Sequence, residues 1–123
     1  MKPETIIYEK IKTIIPNGSD KTVFFVSITE TSYGVFFYSF INGKAFQCYE
    51  LAEDGELDEN DLDSVFEFIV NTIKESKRYR GEQINIVTIT LDKLGVRMDV
   101  EYREKGTRMY KIKKEWEQKK VLS

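Results

Sequence analysis

Between Glu50 and Glu67 the chain carries nine carboxylates and neither lysine nor arginine: Glu50, Glu53, Asp54, Glu56, Asp58, Glu59, Asp61, Asp63 and Glu67. Inside that stretch an apolar repeat begins, Leu62, Val65, Phe66, Ile69 and Ile73, at steps of three and four. The spacing predicts a helix that ends near residues 74–77, with one face buried and the other strongly negative. Asp58 suits its N-cap, Asp61 follows three residues on as in a capping box, and an acidic first turn complements the helix dipole. Such a helix needs an apolar layer to lie on, and the rest of the chain must supply it.

The flanking sequence changes period to do so. Pro3 to Ile15 predicts a first helix, with Ile7, Ile11 and Ile14 in a stripe, stopped by Pro16-Asn17-Gly18. Thr22 to Thr29 and Val35 to Ile41 are rich in β-branched and aromatic residues and read as strands. Asn42-Gly43 predicts a type I′ hairpin, and the returning strand is expected over Lys44 to Leu51. That register sets Phe40 against Ala45, Tyr38 against Gln47, Phe36 against Tyr49 and Phe37 against Cys48. Ile84 to Leu91 and Val96 to Arg103 are two more strands, the second alternating strictly between apolar and charged residues. Thr107 is expected to cap a last helix with Met109, Ile112 and Trp116 inward. The predicted order is αβββαββα, an α+β fold of one domain over residues 1–123, with helices packed on an antiparallel sheet.

A chain of 123 residues buries enough surface to fold without a metal or disulfide. No apolar run approaches the roughly 20 residues of a membrane span, and the N-terminus has no secretory pattern, so no membrane association and a cytoplasmic location are expected. Cys48 is alone, which excludes an intrachain disulfide and fits a reducing compartment. The absence of histidine removes the commonest metal ligand and the residue best suited to proton transfer near neutral pH. No catalytic constellation, metal site or cofactor is expected.

Three uses of the acidic stretch compete. As an ion site it fails the EF-hand pattern, because the glycine precedes the carboxylates and no glutamate closes the loop. As a solvated helix start it would do nothing. As a docking surface for a basic protein, Glu50, Glu53, Asp54, Glu56, Asp58, Glu59, Asp61 and Asp63 would speed encounter and reject wrong partners, with the aromatic hairpin Phe36 to Tyr49 as a second contact. From Phe68 onward the balance reverses, fourteen lysines and arginines against eight acids. Lys111 to Lys120 with Tyr110 and Trp116 therefore offers an alternative, a small nucleic-acid-binding regulatory module. Interspersed Glu115 and Glu117 favour a mixed helix surface instead. The basic segment would equally serve to neutralise the acidic one within the fold or across a dimer, and the sequence leaves monomer and dimer open.

Laid end to end, these pieces resemble the YezG-like antitoxin family, small immunity proteins encoded beside polymorphic toxins in Gram-positive bacteria. The resemblance is carried by Ile7-Tyr8-Glu9-Lys10-Ile11 leading to Ile14-Ile15-Pro16, the Val23 to Ile28 strand, and Val35-Phe36-Phe37-Tyr38 before Asn42-Gly43. It continues through the acidic lead into a helix with Phe66, and a late strand pair before a final helix with Arg108 and Tyr110. Family members carry a Trp where this chain has Asn17-Gly18-Ser19-Asp20 and another where it has Gly81-Glu82-Gln83, and their tails are longer. The resemblance implies a non-catalytic protein that binds and neutralises a cognate toxin, often a nuclease, inside the producing cell. It carries over no active-site residue.

Overall fold

One strand with apolar side chains on both faces decides the layering. In the computed structural model, which describes residues 1–122, β1 (Ser19–Ile28) is buried continuously from Thr22 to Ile28. Ser123, the last residue of the predicted domain, lies outside the described residues. Phe24, Val26 and Ile28 project to one side of β1, and Val23 and Phe25 to the other. A strand of this kind is stable only inside a sheet covered on both sides.

The sheet has five strands, all antiparallel, in the order β3-β2-β1-β4-β5. β2 (Tyr33–Ile41) and β4 (Ile84–Asp92) flank β1, so that Phe24 lies between Phe37 and Ile89, and Phe25 between Phe36 and Thr88. β3 (Lys44–Gln47) and β5 (Gly95–Arg103) form the edges. α1 (Pro3–Ile11) and α3 (Glu59–Lys74) cover one face through Ile7, Ile11, Leu62, Phe66, Ile69 and Ile73. α4 (Met109–Lys120) lies on the other through Ile112 and Trp116. The α+β class and antiparallel sheet are as the sequence predicts, and no helix of the described residues is long and apolar enough to cross a membrane.

Three local differences have physical reasons. α1 stops at Ile11 and not at Ile15, because Pro16 disfavours helical backbone at Ile15 and the Thr13 hydroxyl bonds back to the Lys10 carbonyl at 2.8 Å. The third strand ends at Gln47, and a short helix α2 (Cys48–Glu53) follows, giving the order αβββααββα. Tyr38–Gln47 and Phe40–Ala45 pair as expected, whereas Phe36–Tyr49 and Phe37–Cys48 do not form. A helix puts Cys48 and Leu51, three residues apart, on one face, and both are buried in the same cluster; a strand would have separated them. Thr107 does not cap α4: its hydroxyl bonds the Glu104 carbonyl at 2.8 Å, and Arg108 occupies the N-cap without a side-chain bond.

The Asn42-Gly43 turn has positive φ at both residues, 53° and 78°, as a type I′ hairpin requires. Asn85, fully buried, organises the loop before β4. Its side-chain amide donates to the Arg80, Gln83 and Ile28 carbonyls, and its oxygen accepts from the Arg80 N–H at 2.8 Å.

Candidate protein-binding surface

The acidic stretch is built by α2, α3 and the turn between them. The Gln47 side chain accepts from the Tyr49 N–H at 2.7 Å and starts α2, which carries Glu50 and Glu53 and ends at Asp54. Gly55, at φ +80°, reverses the chain, and the Glu56 N–H closes onto the Leu51 carbonyl at 2.9 Å. Asp58 then caps α3, accepting from the Asn60 and Asp61 N–H groups at 2.8 and 3.3 Å. Glu59, Asp61 and Asp63 follow on the outer side of the helix.

All eight carboxylates are exposed, because the apolar repeat turns Leu62, Val65 and Phe66 inward and leaves the intervening positions to solvent. Four ion pairs occur among the described residues: Lys12–Glu9, Arg97–Asp92, Arg103–Glu101 and Lys105–Glu30. None uses a residue of Glu50 to Asp63. Asp58 alone has a local task, since its oxygen satisfies two helix-start donors that would otherwise lack partners.

Beside this surface, a groove of about 750 Å³ opens between α3 and α4. Asp63, Phe66 and Glu67 line one side, Lys113 and Glu117 the other, and Tyr33, Phe36, Tyr38 and Tyr49 lie along it. Tyr33 is 51% exposed and Tyr49 44%. Burial, then the charges of Glu117 and Glu50, raise the Tyr38 phenol; burial raises Tyr49 as well, with Asp63 and Glu59 adding to it. The Cys48 thiol behind them is pushed up to about 11 by burial, against backbone hydrogen bonds led by Phe37. Burial leads both tyrosine shifts, and the nearby carboxylates add to it by disfavouring a phenolate.

No protein-family model matches the chain, and no curated protein is significantly similar to it. Among the described residues no three His, Cys, Asp or Glu side chains group as a metal site would need. The carboxylates are spread along α2, α3 and the turn between them and do not converge on a point.

The aromatic hairpin is split by the structure. Phe37 faces the α3 side, in an edge-on contact with Phe66, while Phe36 and Tyr38 pack with Trp116 on the α4 side. Trp116 is buried, its ring edge-on to Phe25 at 5.3 Å and its N–H donating to the Thr88 hydroxyl at 2.9 Å. That removes it as a platform for a nucleic-acid base, and Tyr110, 73% exposed, is the aromatic left on the basic helix. Sequence reasoning left Glu67, Lys113 and Glu117 out of the binding surface. Glu67 stands four residues after Asp63 on one helix, a spacing that places it on the same face. Nothing local marks Lys113 and Glu117, which reach the groove because α4 crosses the far side of the sheet.

Proposed function

We propose that the chain is an immunity protein, non-catalytic, which neutralises a cognate bacterial toxin by direct stoichiometric binding in the cytoplasm of the cell that makes it. The observation that carries this reading is the eight exposed carboxylates of Glu50 to Asp63, none engaged in an ion pair among the described residues, on two helices and the turn between them, packed against the sheet. A carboxylate field held in place by a folded scaffold complements a protein whose own site is cationic, as a nuclease site that holds phosphates must be. The resemblance to YezG-like antitoxins points the same way.

The test uses the toxin encoded in a neighbouring reading frame. Glu53→Lys, Asp54→Lys and Glu56→Lys combined should slow association at low salt by about tenfold or more while changing dissociation little, because long-range attraction acts on the encounter. Asp58 is left intact, since it caps α3. Unchanged association kinetics would remove this surface, and a toxin that neither co-purifies with the chain nor is inhibited by it would remove the function.

A further inference from the structure

β2 is paired along its whole length on one side only. β1 registers with Tyr33 through Ile41, whereas β3 reaches only Tyr38 through Ile41; Phe37 beyond it is fully buried, so the edge left without a strand is Tyr33 to Val35, of which Tyr33 is exposed and Val35 8% exposed. The alternation of the ladder says which groups face out. The Thr29 N–H donates to the Ser32 carbonyl at 2.9 Å, and Ser27/Gly34, Phe25/Phe36 and Val23/Tyr38 follow at steps of two as hydrogen-bonded pairs. Tyr33, Val35 and Phe37 therefore direct their N–H and C=O groups away from β1. Phe37 is covered, and among the described residues Tyr33 and Val35 pair with no strand on that side.

The other edge of the sheet is treated differently. At β5 the Arg78 guanidinium donates to the Met98 carbonyl at 3.1 Å, occupying the middle of that edge. An open edge is a template for pairing, and proteins that do not use one block it. Along the bare part of β2 runs the groove between α3 and α4, whose walls carry Asp63, Glu67 and Glu117 against the single cation Lys113. Lys113 itself is drawn over the Phe36 ring, 5.8 Å from its centroid.

From this geometry we infer that Tyr33 to Val35 accepts an extended segment of the toxin, bearing lysine or arginine, as a sixth strand of the sheet. The inference rests on the reading that the chain neutralises a protein, and it names the contact. Main-chain hydrogen bonds to Tyr33 and Val35 would hold the strand over about 7 Å at roughly 3.3 Å per residue. Its side chains would alternate between the two walls, placing cations at the carboxylates. Pairing with a second copy of this chain would instead bring the same carboxylates together.

The probe is a ten-residue peptide of alternating lysine and valine, with two controls: glutamate in place of lysine, and N-methylated alternate residues that cannot extend a ladder. Binding is followed by nuclear magnetic resonance, through shifts and amide exchange of Tyr33 to Val35. The lysine peptide should bind and slow exchange of the Val35 N–H, and both controls should fail. Val35→Pro keeps an apolar side chain, follows the permissive Gly34 and removes an outward N–H; it should weaken binding about tenfold, the loss of one or two main-chain hydrogen bonds. Glu67→Lys with Glu117→Lys should also weaken it. If Val35→Pro fails to fold, amide exchange in the unaltered chain still decides.

Equal binding of the N-methylated peptide, or shifts confined to Glu50 to Asp63, would overturn strand addition and leave the acidic surface standing. A dimer of the chain in solution that Val35→Pro dissolves would assign the edge to self-pairing and overturn it too. If the lysine peptide does not bind at all while the Glu53, Asp54 and Glu56 reversals still slow the toxin, the strand contact fails and the immunity reading survives.

Discussion

Cys48 shows how burial sets chemistry at a single residue. Its side chain has no exposure, and burial lifts the thiol to about 11, so the nucleophilic thiolate is scarce at neutral pH. Alkylation at pH 8 should therefore be slow in the folded chain and fast in denaturant, checked by mass spectrometry over time. The sign of the pH effect follows from the raised value. The folded state keeps the proton that the unfolded chain releases, so this contribution to stability is full below about pH 8.5 and falls as pH rises toward 11. Denaturant midpoints measured from pH 8 to 10.5 should decline in the native chain more than in Cys48→Ala. Trp116 is the second residue whose setting overrides its type: a lone tryptophan on a lysine-rich helix reads as a stacking platform, yet here it is the plug of the α4 side.

At the scale of elements, α3 joins two roles along one helix. Its inner face anchors the larger cluster and its first turn presents the carboxylates, but they are not equivalent. Asp58→Ala should cost about 1 kcal/mol because it strands the Asn60 and Asp61 donors. Glu53→Lys and Glu56→Lys should each stay within about 0.5 kcal/mol, since neither side chain forms an ion pair or hydrogen bond among the described residues. Urea unfolding of the three variants side by side checks the ranking, and a cost for Glu53→Lys as large as for Asp58→Ala would contradict the assignment. The switch from β3 to α2 belongs to this scale as well. One capping bond from Gln47 and the shared burial of Cys48 and Leu51 end the strand early, and the early end bares the edge of β2.

Across the whole molecule, two apolar clusters share one sheet, and β1 contributes to both: Phe24 and Val26 below, Val23 and Phe25 above. Neither cluster can be lost without exposing the strand that the other needs. Unfolding should therefore be a single transition, with Trp116 fluorescence and far-ultraviolet dichroism giving the same midpoint. An earlier fluorescence midpoint would mean that α4 detaches as a separate unit. The charge asymmetry also lives at this scale. The acidic half, α2 and the start of α3, and the basic helix α4 lie on opposite faces of the sheet, and the ion pairs among the described residues leave the acidic segment to solvent.

The sequence by itself determined what depends on neighbours in the chain. The period of α3, its Asp58 cap, the Asn42-Gly43 turn and the alternation of Val96 to Arg103 all rest on steric and hydrogen-bonding rules that act over a few residues. Only the tertiary structure decided that Cys48 to Leu51 is helical, that Trp116 is covered, and that Glu67 and Glu117 meet across a groove. Those outcomes depend on which surfaces compete for burial once the sheet has formed, and that competition is between residues far apart in sequence. The bare edge of β2 is of the second kind, because an unpaired strand is defined by what a distant segment does not reach.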